Sequence, residues 1–202
     1  MSFEKDIQLS KTLSWLLRHG AVKEGLHISR EGFVSVVDIL NHKSLRNRYN
    51  LEDIKRVVDV NDKQRFRLRC NDGIWEICAN QGHSLKAVED PDLVPILEAN
   101  GTEAIHGTYN KNWHAIKKQG LKCMGRNHIH FATGLPDDRA VVSGMRKTAE
   151  VFIYINLPLA LSDGIKFFKS TNGVILSSGN DKGIIDPKYF LKVCDSNGKF
   201  LL

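Results

Sequence analysis

Residues 64–79 read QRFRLRCNDGIWEICA, and this stretch decides the fold of the first half of the chain. The run QRFRLRC alternates polar and apolar residues, the period of a half-buried strand. NDG at 71–73 is a tight-turn signal, and IWEICA returns as a second strand. Three helical segments precede this hairpin. In IQLSKTLSWLLRH (7–19), Ile7, Leu9, Leu13, Leu16 and Leu17 keep a helical period, and Gly20 suits the position just past a helix end. A Gly-centred turn, Arg30-Glu31-Gly32-Phe33, leads into VSVVDILNH, which starts strand-like and turns helical. Asn50 then precedes LEDIKRVVDV, with Asp53 where a capping box wants an acid. Helix, helix, helix, hairpin is the order of a winged-helix unit, a fold analogy that does not by itself fix function.

Beyond the hairpin the pattern changes. Residues 86–103, KAVEDPDLVPILEANGTE, hold Pro91, Pro95 and five acids, and read as a linker. AIHGT then looks like a short strand, Asn110 is placed to cap the helix NKNWHAIKKQ, and Gly120 ends it. HIHFAT, EVFIYINL, IKFF, GVILSS and YFLKVCD read as further strands. The expectation is an α+β chain in two lobes, 1–90 and 104–202, joined by 91–103.

Composition narrows the class. At 202 residues, 42% hydrophobic and 26% charged, the chain is an ordinary globular one, with no apolar run long enough to span a membrane and no secretory signal pattern. An intracellular location is therefore expected, cytoplasm or nucleus in a eukaryote. The four cysteines lack metal-like spacing and read as reduced thiols. The net charge of +6 is uneven: residues 1–100 balance 15 basic groups with 15 acidic, whereas 101–202 carry 14 and 8. Within the balanced half, Lys43 to Arg69 holds nine basic groups against four acids. Such a patch suits a polyanion such as a phosphate backbone, or is simply a solvated face.

Several constellations can carry chemistry. Arg18-His19 pairs a permanent cation with a group that titrates near neutrality, at a helix end where cations also complement the dipole. Arg65, Arg67 and Arg69 share one strand face, with Phe66 and Leu68 on the other. An anion would relieve their mutual repulsion; alternatively, the cations keep an exposed strand from aggregating. His128 and His130, with Arg126 just before them, fit phosphate or ribose contact better than a metal, because no third ligand is evident beyond Cys123. In His106-Gly107-Thr108 the glycine allows close approach of a ligand to the backbone, though the tripeptide is equally a plain turn. Neither a Walker loop nor G-x-G-x-x-G is present.

Taken in order, LSKTLSWLLRHGAVKEGL, GFVSVVDIL, NDKQRFRL, ANQGHSLKAV, IHGT, MGRNHIHFATG and SGMR resemble the RNA 2′-phosphotransferase family. The collinear set runs from about residue 8 to residue 146, and the likeness is least after about Ser178. The resemblance implies an N-terminal winged-helix lobe and a C-terminal lobe of the ADP-ribosyltransferase fold. It implies an enzyme that removes an internal 2′-phosphate from RNA, such as a tRNA splice junction, with NAD consumed as co-substrate and no metal. The 2′-phosphate attacks the nicotinamide ribose carbon and expels nicotinamide. The ribose 2″-hydroxyl then attacks the phosphate, freeing 2′-OH RNA and ADP-ribose 1″,2″-cyclic phosphate.

Carried over by motif, the catalytic set is Arg18, His19, Arg65 and Arg126. The first nucleophile is already an anion, so no strong base is needed; cations must gather the negative groups. His106, Gly107 and Thr108 are the implied NAD contacts, with His128, His130 and Ser143 as further ones. Arg67, Arg69 and Arg146 are expected to bind RNA or phosphate. RNA and NAD are the expected partners, with no membrane, no obligate protein partner and a monomeric state. Two other readings are an ADP-ribosyltransferase acting on terminal phosphates and a non-catalytic RNA-binding module.

Overall fold

The hairpin forms as its alternation predicts. In the computed structural model, which describes residues 2–89, 92–136 and 144–202, β2 (Phe66–Asn71) pairs antiparallel with β3 (Ile74–Ala79). The turn residues Asp72 and Gly73 have φ of 49° and 79°, the left-handed pair that a tight two-residue hairpin demands. The chain divides into two units, Met1–Asp92 and Leu93–Leu202.

The first unit places α1 (Ser2–Trp15), α2 (Val36–Asn41) and α3 (Leu51–Asp59) with a sheet of order β1-β3-β2, where β1 is Val34–Ser35. Leu9, Leu13, Leu16 and Leu17 are completely buried, together with Ile39, Ile54 and Ile77. Truncating any one of these leucines to alanine is expected to cost about 2–5 kcal/mol. The capping box of α3 is complete: the Asn50 side chain accepts from the Asp53 N–H at 3.0 Å, and the Asp53 carboxylate accepts from the Asn50 N–H at 3.0 Å.

One expectation fails here. Gly20 does not sit beyond the helix in the left-handed region. The segment Leu16–Gly20 is a π-helical turn, closed by the Ala21 N–H donating to the Leu16 carbonyl at 2.8 Å. Gly20 lies inside that turn, and its reason is space: a Cβ there would meet the Trp15 ring at 2.7 Å. A π turn carries one extra residue per hydrogen-bonded ring and is common where a helix presents functional groups.

The second unit is mainly antiparallel sheet. One sheet has the order β4-β9-β10-β7 (Val94–Ile96, Phe167–Lys169, Ile175–Ser177, Ile129–Phe131). A second has the order β12-β8-β5 (Phe190–Asp195, Val151–Ile155, Ile105–Thr108). β6 (Leu121–Lys122) pairs with β11 (Ile184–Ile185). Ile105 and Ala132 exchange backbone hydrogen bonds at 2.9 Å, tying β5 to the end of β7. Phe131, Ile153, Phe167, Ile175 and Val193 form the core that these strands enclose.

Two further readings need correction. The 91–103 stretch is not a linker throughout, because β4 lies within it and pairs with β9, Val94 opposite Lys169. Asn110 is not the cap of α4 (Asn110–Gln119) but its first residue; the Glu150 carboxylate accepts its N–H at 2.8 Å. Gly120 does end that helix, at φ 80°, and a Cβ there would come within 2.4 Å of the Ile185 carbonyl oxygen. A short helix α5 (Leu157–Ser162), capped by the Asn156 side chain, follows β8. The chain is thus α+β. Among the described residues, no helix is long and apolar enough to cross a membrane.

Candidate functional site

Arg18 and His19 both ride on the π turn, and Ser84 holds them there. The Ser84 N–H donates to the Arg18 carbonyl at 3.0 Å, and His19 Nδ1 lies 2.8 Å from Ser84 Oγ. The Ser84 hydroxyl also reaches the Arg18 carbonyl, at 3.4 Å. With the hydroxyl hydrogen directed to that carbonyl, the oxygen accepts from Nδ1–H, and Nε2 is the nitrogen that can take a proton. The sequence reading placed QGHS among the motifs but missed Ser84 as the group that orients His19.

The arginine strand divides sharply by electrostatics. Arg65 stands at the start of β2, just after Gln64, whose φ of 43° is unusual for a residue with a side chain. Asn80 braces this corner: its N–H donates to the Arg65 carbonyl at 2.9 Å and its side-chain amide to the Gln64 carbonyl at 2.5 Å. The Arg65 guanidinium bonds to Asn61 Oδ1 at 3.3 Å and, among the described residues, makes no salt bridge. Its partial burial pushes the guanidinium pKa down, and the charge of Asp62 opposes that shift only in part. Arg67 instead pairs with Asp92 and donates to Asn80 Oδ1 at 3.1 Å. Arg69 donates to Glu76 at 2.7 Å, pairs with Glu31 and stacks 3.7 Å from the Phe33 ring centroid. The expected repulsion along this face is therefore relieved by the protein itself at two of the three positions. Part of the wider basic stretch is neutralised in the same way: Lys43 by Glu24, Lys55 by Glu52, and Arg56 by Asp6 and Asp53.

In the second unit, Arg126 follows the left-handed Met124 in the turn after β6, and its N–H donates to the Cys123 carbonyl at 3.2 Å. Partial desolvation of the guanidinium, and then the like charge of Arg146, push the Arg126 pKa down. Arg146 donates to the Tyr109 hydroxyl at 3.5 Å, and that hydroxyl lies 2.9 Å from Thr148 Oγ1. The arginine draws the Tyr109 pKa down. Among the described residues, neither Arg126 nor Arg146 has a carboxylate partner.

His106, in β5, is 2.9 Å from the His130 carbonyl through Nδ1, which must therefore carry the hydrogen. Burial pushes its pKa down, so the ring is neutral at physiological pH, with Nε2 an acceptor. At Gly107 the missing side chain makes room for Met145 and Ala149, 2.9–3.0 Å from where a Cβ would stand. Met145 belongs to the SGMR motif, so two motifs pack on each other. Thr108 is buried and accepts from the Asn112 side chain at 3.3 Å. His128 stacks edge-on against Phe168 at 6.3 Å. Burial raises the Cys123 pKa, which keeps it a thiol. Among the described residues, no group of three or more His, Cys, Asp and Glu side chains has a metal-binding arrangement. Ser143 lies outside the described residues.

These features define an α+β protein with arginines that, among the described residues, make no salt bridge, chemistry suited to phosphate. The comparisons agree: residues 4–179 match the model of the RNA 2′-phosphotransferase, Tpt1 / KptA family, and the chain belongs to that family. It is 48% identical over 196 residues to the tRNA 2′-phosphotransferase 1 of Bos taurus, covering 93% of this chain and 74% of that protein. It is 43% identical over 185 residues to the tRNA 2′-phosphotransferase of Saccharomyces cerevisiae, covering 87% and 80%. The probable RNA 2′-phosphotransferase of Rhizobium leguminosarum is 34% identical over 174 residues, covering 85% and 89%. The protein is an enzyme of this kind.

Proposed function

We propose that this enzyme transfers the internal 2′-phosphate of RNA, as at a tRNA splice junction, to NAD, leaving a 2′-hydroxyl. The observation that carries the reading is the set of arginines that, among the described residues, make no salt bridge to a carboxylate: Arg65 in the first unit and Arg126 with Arg146 in the second. A desolvated or repelled guanidinium without a counterion is costly alone and favourable once a phosphate arrives. The residues also fit NAD. Arg126 and Arg146 suit a pyrophosphate, and His106 Nε2 is an acceptor for a ribose hydroxyl. NAD supplies the ribosyl acceptor and the nicotinamide leaving group.

Arg18 and Arg65 hold the 2′-phosphate and spread its charge, so that it approaches as an oriented anion. Arg126 and Arg146 offset the charge of the pyrophosphate. As the phosphoryl group is attacked in the second step, Arg18 and Arg65 stabilise the charge that builds on its oxygens. His19 Nε2 takes the attacking hydroxyl proton, while Ser84 holds Nδ1. Arg67 and Arg69 contact the RNA backbone by exchanging solvent-accessible carboxylates for phosphates, a small loss because such pairs are worth about 0–1 kcal/mol. The first unit serves as a winged-helix RNA-binding lobe, supported by its helices and three-stranded sheet. The second serves as an NAD-binding lobe of ADP-ribosyltransferase type, supported by its paired antiparallel sheets.

The test is an RNA oligonucleotide bearing one internal 2′-phosphate, incubated with the protein and NAD. Loss of the phosphate from RNA together with release of nicotinamide and a cyclic phosphate of ADP-ribose is expected. RNA that keeps its phosphate, with no nicotinamide formed, rejects the proposal.

A further inference from the structure

Trp15 is the one tryptophan left substantially exposed, 43% accessible, while Trp75 and Trp113 are half-buried. Each of the other two lies near a lysine ammonium, Lys55 at 4.7 Å from the Trp75 ring and Lys117 at 6.0 Å from that of Trp113. Among the described residues, Trp15 has no such cation and its indole N–H has no protein acceptor. Exposure of one aromatic ring is ordinary; what sets Trp15 apart is how and where the ring is held.

Its place gives the reason. Trp15 is the last residue of α1, three and four positions before Arg18 and His19. The π turn that begins at Leu16 brings residue 20 back over residue 15, and Gly20 meets the six-membered part of the indole there. A Cβ on Gly20 would lie 2.7 and 2.8 Å from two ring carbons and 3.0 Å from a third. Gly20 has helical backbone, so glycine is not needed there for conformation. The glycine is needed to seat the ring. A fixed, exposed indole beside the phosphate-binding pair is a stacking platform.

We infer that Trp15 stacks on the base of a nucleotide flanking the 2′-phosphate, which makes it a positioning residue for RNA. The inference rests on the proposed phosphate site at Arg18 and His19. Stacking on an indole is tolerant of sequence but needs a base free of its neighbours. The enzyme should therefore favour a 2′-phosphate in an unpaired segment over one within a duplex.

The test uses the protein with Trp75 and Trp113 changed to Phe, so that fluorescence reports Trp15 alone. Titration with 2′-phosphorylated single-stranded RNA should quench that emission, and an abasic flanking nucleotide should abolish the quench. In the otherwise unaltered protein, Trp15→Ala should weaken RNA affinity by about 30-fold, the middle of the range for losing one base–aromatic stack. The KM for NAD should stay unchanged, and Trp15→Phe should recover most of the affinity. Gly20→Ala should mimic Trp15→Ala by displacing the ring, with the indole still present. Circular dichroism and melting confirm that each variant is folded. No quench by RNA, or equal RNA affinity for Trp15→Ala and the unaltered protein, overturns the inference. If RNA quenches Trp15 but no phosphate is transferred, the platform stands and the phosphotransferase reading falls.

Discussion

The β2 strand of the first unit and the Arg126–Arg146 region of the second treat arginine in opposite ways. On β2, carboxylates from three separate segments, Glu31, Glu76 and Asp92, meet Arg67 and Arg69. Around Arg126 the neighbouring charge is another arginine, and among the described residues no carboxylate answers either one. Arg65, although next to β2, makes no salt bridge among the described residues, and Asp62 answers its charge only in part. The paired arginines carry their counterions within the fold, and substrate is expected to complete the charge balance at the others.

The largest effect expected from this contrast is catalytic. Arg65→Ala and Arg126→Ala should each lower kcat/KM for phosphate transfer by about 100-fold or more, the scale for losing one preorganised stabilising group. Arg69→Ala should cost less than about fivefold, since its loss removes an exposed pair and one cation–π contact. Equal losses at all three positions, measured by nicotinamide release under saturating NAD, would break the distinction.

Next in size is Ser84→Ala. This change removes the partner of His19 Nδ1 without touching a cation. We expect kcat to fall by about tenfold, within the range for a positioned proton-transfer group, with RNA KM little altered. The loss should fall on the second step, so that nicotinamide is released faster than phosphate leaves RNA. A rise in KM alone would assign Ser84 to binding.

Stability sharpens the same comparison. Arg126→Met removes a charge that Arg146 opposes and should leave the urea midpoint unchanged or slightly raised. Arg69→Met leaves Glu76 and Glu31 without their cation and should lower it by up to about 1 kcal/mol. A marked loss from Arg126→Met would mean that its charge fastens the second unit.

Much of this was legible in sequence because the signals are local. The alternation in QRFRLRC, the NDG turn and the Asn50–Asp53 box all act within a few residues, and all appear as read. The strands in HIHFAT, EVFIYINL, IKFF, GVILSS and YFLKVCD were likewise marked by apolar runs. What escaped depends on distant partners. Val94–Ile96 is a strand only because Phe167–Lys169 offers it an edge, against the sense of its prolines and nearby acids. That Gly107 also makes room for Met145 is set by a residue 38 positions on. The carboxylates at Arg67 and Arg69 include Glu31 and Asp92, 38 and 25 residues away in sequence. The π turn is invisible because LLRHG has no composition that distinguishes it from an α-helical end.

The smallest expected effect concerns His106 and the acid side of the stability profile. Burial holds its pKa below the ordinary histidine value, while the Nδ1–H bond to His130 opposes that shift only in part. In the unfolded chain the imidazole takes up a proton near pH 6.5. The folded protein does so only at lower pH, so between the two values the unfolded state binds more protons. Stability is therefore complete above about pH 6.5 and declines as pH falls through the folded value. His106→Asn can retain a donor near the position of Nδ1 but does not titrate. Its melting temperature should consequently fall less than that of the unaltered protein between pH 7.5 and 5.5. The difference belongs to the second unit, where the neutral ring is the acceptor proposed for a ribose hydroxyl. A variant whose pH dependence matches the unaltered protein would show that His106 is as easily protonated when folded as when unfolded, and would remove it as the neutral acceptor.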